Sequence, residues 1–112
     1  MAYDHDLADR IREALAGRPV REVSMFGGLT FMVNEKMTAT ANTHGDLMVR
    51  CDPSRAESLL ERDGADWPEM RGKKMSKGWI VVDARRIESD EVLESWIQEA
   101  LDYNKKVTGS GS

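Results

Sequence analysis

A double glycine followed by six residues of alternating polarity does more than any other feature to fix what this chain can become. Ser24 to Asn34 reads Ser-Met-Phe-Gly-Gly-Leu-Thr-Phe-Met-Val-Asn. From Leu29 on, Leu29, Phe31 and Val33 fall on one face and Thr30, Met32 and Asn34 on the other. That is the period of a strand with one drier side. Gly27 and Gly28 tolerate positive φ and let another backbone come close. At the entrance to a strand, such a pair marks a tight turn or a bulge. A glycine loop that cradles phosphate hands its anion to a helix N-terminus, whereas this one hands over to a strand.

The rest of the chain arranges itself around that strand. Asp4 or Asp6 caps an opening helix whose Leu7, Ile11 and Leu15 share one face, with Ala8 and Ala14 beside them. Gly17 supplies its C-cap and Pro19 stops it. Val20 to Val23 then leads into the glycine turn. After the first strand, Asn34-Glu35 makes a short polar connection, although a two-residue turn reads more comfortably as Asn-Gly. Met37 to Asn42 alternates again, and its small Ala39 and Ala41 predict a bulky element, a helix, packed closely over them. Leu47 to Cys51 is a third strand.

Asp52-Pro53-Ser54 starts a second helix, with an N-cap carboxylate and proline at the first helical position, running to about Asp63-Gly64. Trp67 to Met70 reads as a short strand that Pro68 confines to an edge. Trp79 to Val82, apolar on both faces, reads as a central strand. The final helix opens at Ser89 with Asp90 and Glu91 in its first turn, and Lys105 and Lys106 close it, as the macrodipole favours. Its wide apolar stripe carries Val92, Leu93, Trp96, Ile97, Ala100 and Leu101. The order α-β-β-β-α-β-β-α, with strands clustered and linkers short, predicts a two-layer α+β domain with a mainly antiparallel, five-stranded sheet.

Length and charge narrow the function classes. With 112 residues the expectation is one domain over 1–107, followed by a flexible tail at 108–112 that closes on Gly-Ser-Gly-Ser. No apolar run approaches the ~20 residues that cross a bilayer. The acidic N-terminus is not a signal peptide, and a single cysteine, Cys51, fits a reducing cytoplasm. A net charge of −4 disfavours nucleic-acid binding by the surface as a whole.

The run from Met25 through Asn34, with Lys36-Met37 after it, resembles the Met-Phe-Gly-Gly signature of the TfoX/Sxy family's N-terminal domain. Leu47-Met48-Val49-Arg50, Gly72 through Trp79, and the terminal helix with Leu93, Trp96 and Ala100 extend the likeness over about Asp4 to Lys106. In that likeness Met25, Phe26, Gly27, Gly28, Phe31, Trp79 and Trp96 are the structural motif. The resemblance implies a two-layer fold of the order given above. It also implies a non-enzymatic role resembling that of competence and transcription co-regulators, which work with a partner DNA-binding activator.

The residues themselves offer little chemistry. His5, His44 and Cys51 lack the short spacings of zinc sites. Cys51 alternates with Leu47 and Val49 as a small core residue does, and no Gly-x-Ser-x-Gly elbow or nucleotide-binding turn is present. No cofactor and no catalytic residue are expected. Arg71, Lys73, Lys74 and Lys77 form a basic run between Trp67 and Trp79, a candidate site for an acidic partner that would bind nucleic acid only weakly. Met32 and Met48 suggest an adaptable partner surface, and exposed sheet edges suggest a homodimer. The resulting expectation is a cytoplasmic protein-interaction module. The alternative is a small ligand-binding domain or enzyme with a pocket near Gly27-Gly28 and Trp79.

Overall fold

A computed structural model describes residues 4–25, 27–67, 69–70, 73–74 and 78–108, with backbone alone at residues 25, 69–70 and 73–74. The first helix, α1 (His5–Ala14), is capped by Asp4, whose Oδ1 accepts from the amides of Asp6 and Leu7 at 2.9 and 3.1 Å. Leu7, Ala8 and Ile11 are buried, and Leu15 beyond the helix joins them. Gly17 takes a φ of +86° in the turn that follows.

Among the described residues eight strands follow in chain order: β1 (Val20–Met25), β2 (Gly28–Val33), β3 (Lys36–Ala41), β4 (Leu47–Arg50), β5 (Ala65–Asp66), β6 (Glu69–Met70), β7 (Lys73–Lys74) and β8 (Trp79–Val82). Six make one antiparallel sheet in the order β1-β2-β3-β4-β8-β5, and β6 pairs with β7 alone. The α+β antiparallel expectation holds, with six strands in the sheet rather than five. The added strand is β1, which pairs with β2 along its whole length from Val20–Val33 to Met25–Gly28. Its Arg21, Glu22 and Ser24 are exposed, so it lacks the clean alternation of an inner strand and instead carries the charges of a protected edge. The short strand expected at Trp67–Met70 is divided. A proline at 68 has no N–H for a ladder, so β8 pairs with Ala65 and Asp66 ahead of it.

The second helix is shorter than its capping signal suggests. Asp52 accepts from the Ser54 amide at 2.9 Å, a 3-10 turn covers Pro53–Arg55, and α2 occupies only Ala56–Leu60. The third, α3 (Asp90–Thr108), lies against β3 and β4. Ala39 and Ala41 are fully buried beneath it, as their size foretold. Phe31, Ala39, Val49 and Ile80 stand side by side across four strands, and all four are excluded from solvent. On the alternate positions Thr30 and Thr40 bond through their hydroxyls at 3.0 Å, a cross-strand pair that satisfies two buried polar groups at once.

α3 is tied down at its far end. Buried Asn104 donates through Nδ2 to the carbonyl of Val33 at 2.9 Å, and its Oδ1 accepts from Asn34 Nδ2 at 3.1 Å. Lys106 Nζ meets Asp52 Oδ2 at 2.7 Å, and Arg55 pairs with Glu99 at 2.9 Å. The Lys106 ammonium, together with Ser54, holds the Asp52 carboxyl well below the usual carboxylate range.

The β2–β3 turn has φ of +53° at Asn34 and +65° at Glu35, the left-handed pair that a tight hairpin needs. Asn34 suits that conformation and Glu35 does not. Only an exposed ion pair with Arg21, at 2.9 Å, offsets the misfit. Glu35→Gly is therefore expected to raise stability by up to ~1 kcal/mol, net of glycine's greater freedom when unfolded. Urea unfolding measures it; a lower midpoint would mean that the Arg21 pair outweighs the backbone misfit.

Candidate functional site

Where β3 and β4 part company, the structure opens a groove. The β3–β4 ladder spans only Ala39–Ala41 against Leu47–Val49. The β2–β3 register shifts after Phe31, which faces Ala39 while Met32 faces Met37, so Thr38 is an extra residue. Such a bulge bends its strand and sharpens the local twist. Lys36 and Met37 accordingly stay with β2, while Arg50 stays with Trp79 of β8. The gap exposes one side of α3. The resulting groove, of about 460 Å³, is lined by Met32, Met37, Trp79, Tyr103 and Val107, with Arg50 among them. That volume lies within the range of small-molecule and peptide-side-chain sites.

Arg50 is the chemical centre of the groove. Its guanidinium carbon lies 5.9 Å from the Trp79 ring centre and 5.5 Å from that of Tyr103, so two aromatic faces hold it. A Cβ on Gly78 would come within 2.7 Å of the same carbon, so the missing side chain at 78 makes room for the guanidinium. The Gly78 carbonyl also accepts from the Cys51 amide at 2.8 Å, fixing the strand ends around it. No carboxylate among the described residues pairs with Arg50. Glu35, at the rim, is already engaged by Arg21. A guanidinium is weakly hydrated and stacks readily, so aromatic faces can orient it while its N–H donors remain available.

Cys51 is fully buried, and burial pushes its thiol up to about 11, so it stays protonated at neutral pH. We expect less than about one-tenth modification by iodoacetamide at pH 8 in the native state and complete reaction in denaturant. Full native labelling would show that this part of the core opens readily. Among the described residues, no three His, Cys, Asp or Glu side chains gather as a metal site would require.

The sequence-nominated residues fall in separate places. Met25 pairs with Gly28 across a hairpin turn in which Gly27 has φ of +77°. A Cβ at Gly28 would lie 2.5 Å from the Ala41 carbonyl oxygen, so glycine permits the approach of β3 there. Phe31 and Trp96 are wholly buried. Trp79 is nearly so, and it reaches the groove. The structure does not bring Gly28 and Trp79 together. Gly28 starts β2 beside the Leu29–Ala41 end of the sheet, and Trp79 pairs with Arg50 at the opposite end. In the basic run, Lys73 and Lys74 pair through their backbones with Met70 and Glu69. Arg71 and Lys77, like Phe26, lie outside the described residues. Sequence reasoning passed over Arg50, Tyr103 and Val107. The one available signal was an arginine closing an otherwise apolar strand, Leu47-Met48-Val49-Arg50, on the face away from the core.

No helix among the described residues is long and apolar enough to cross a membrane. No curated protein and no solved structure matches the chain. The TfoX N-terminal domain, by contrast, matches residues 13–103, from the last turn of α1 through the glycine turn and the groove to Tyr103 in α3. With most of its length so matched, the chain belongs to the TfoX N-terminal domain family.

Proposed function

We propose that this domain is a cytoplasmic, non-enzymatic protein-interaction module, and that it docks a partner polypeptide at the groove between β3 and β4. The observation that carries this reading is Arg50, a cation oriented by Trp79 and Tyr103 and matched with no carboxylate among the described residues. A partly exposed guanidinium beside aromatic and methionine side chains is well suited to meet an acidic group arriving from outside. The surrounding Met32 and Met37 are flexible and polarisable, as adaptable recognition surfaces require. Family membership supports the same reading in its coarse form, a TfoX-like domain.

The test is selection of phage-displayed peptides on the immobilised chain, with binders then mapped by amide chemical shifts. Selected peptides are expected to shift Met37, Arg50, Trp79 and Tyr103. They are also expected to bind at least tenfold more weakly to Val107→Trp, which fills the groove mouth from a half-exposed position on α3. Absence of any enriched peptide family, or equal binding by the blocked variant, overturns the reading.

A further inference from the structure

We infer that the groove selects a carboxylate joined directly to an apolar body, as it stands at the C-terminal residue of a polypeptide. The inference rests on the docking reading above and narrows its ligand. Four observations carry it. The Arg50 guanidinium lies over Gly78, where a side chain would displace it. It sits between the rings of Trp79 and Tyr103, which orient it ahead of any ligand. The walls next to it are apolar, from Met32, Met37, Ala100 and Val107. Among the described residues the one carboxylate on the groove's lining, Glu35, is drawn off by Arg21, while Lys36 adds a second positive charge at the rim.

These features set the ligand's shape. A planar guanidinium donates two parallel N–H···O bonds to a carboxylate. The apolar walls begin next to the cation, so the ligand's apolar group must lie within a bond or two of its carboxylate. A through-running acidic side chain carries only one or two methylenes beside its carboxylate, too little apolar surface to fill these walls, and fits less well. Asn104 is not available to read the ligand. Its amide nitrogen serves Val33 and Thr38 and its oxygen serves Asn34.

The test uses the full chain and two acids, acetyl-Gly-Ser-Phe with a free C-terminus and 4-phenylbutyrate, each beside its carboxamide. Binding is followed by the indole and amide NMR shifts of Trp79 and by calorimetry. Both acids are expected to bind at least tenfold more tightly than their amides. The peptide acid is expected to bind at least as tightly as 4-phenylbutyrate, and clearly tighter binding of the free acid overturns the peptide end as the occupant. Arg50→Gln is expected to abolish the acid–amide difference, with Arg50→Lys restoring only part of it, because a point charge cannot make the paired bonds. Val107→Trp, which leaves Arg50 in place, is expected to weaken both acids tenfold or more. Equal binding of acid and amide overturns the inference. So does failure of both acids while phage-selected peptides still shift the groove residues, a result that leaves the docking reading standing. Peptides that bind but shift other residues overturn the docking reading itself.

Discussion

Trp96→Ala is expected to lower unfolding stability by about 3–5 kcal/mol, the loss seen when a large aromatic is cut from a core. The indole is wholly buried, and it belongs to the cluster that α3 forms with the sheet. Its outer ring face is not simply roofed by hydrocarbon. The Arg62 guanidinium carbon sits 3.9 Å from the ring centre, and Arg62 Nη2 donates to Ser95 Oγ at 2.5 Å. Ser95 in turn donates to the Val92 carbonyl at 2.7 Å. Removing the ring leaves a cavity and also strands the arginine above it. A domain with typical net stability of about 5–15 kcal/mol would lose a large share of it. Urea unfolding followed by far-ultraviolet circular dichroism is the measurement. Arg62→Ala, the comparison, should cost only about 0.5–1 kcal/mol, because it removes the cation and spares the core. A midpoint for Trp96→Ala equal to wild type would mean that α3 does not pack as described.

The second large effect is expected at Gly28. An added methyl would meet the Ala41 carbonyl oxygen at 2.5 Å and the Asn42 Cα at 3.1 Å, both backbone atoms that no rotamer change can move aside. Gly28→Ala must therefore spread β2 from β3 just where the ladder begins, and about 1–3 kcal/mol of destabilisation is expected from such overpacking. Gly17→Ala separates this steric cause from ordinary backbone preference. Gly17 has φ of +86° but nothing within 4 Å of its virtual Cβ, so its cost is conformational only. That cost is about 1–2 kcal/mol. Amide shifts distinguish the two. Gly28→Ala should perturb Ala41 and Asn42 across the sheet, and Gly17→Ala should perturb only the turn. Cross-sheet shifts absent from Gly28→Ala would refute the close approach.

The elements most legible in the sequence were those whose burial repeats at a fixed period. Leu29, Phe31 and Val33 alternate, and Leu93, Trp96, Ile97, Ala100 and Leu101 recur at helical spacing; each set is buried. Local chemistry also located the cap at Asp52 and narrowed the first to Asp4 or Asp6, of which Asp4 is the one that caps. β1 was not legible, because an edge strand with charged Arg21 and Glu22 satisfies its pairing on one side and leaves no alternating signature. α2 stopped short of Gly64 because a cap signals where a helix starts and says little about where packing ends it. The groove was the least legible part. It needs an extra residue at Thr38, an early end to the β3–β4 ladder, and the meeting of Arg50 with Tyr103 from a distant helix. Each of these is a relation between segments, and none has a local pattern. The basic run looked sharper as a sequence feature, because charge is visible in a string of letters and a gap between strands is not.

That α3 follows every strand of the sheet has a consequence for synthesis. β1 to β4 are sequential neighbours, so their pairing can begin as soon as they leave the ribosome. Their inward face, Phe31, Ala39 and Val49, has only α1 to cover it until α3 emerges, and Asn104 bonds back to Val33 and Asn34 only once that helix is made. The nascent sheet must therefore wait, its apolar side half covered, for α3. During that wait the chain's exposure to chaperones and to other nascent copies is greatest, and the charged edge of β1 is then what keeps one half-made sheet from adding to another.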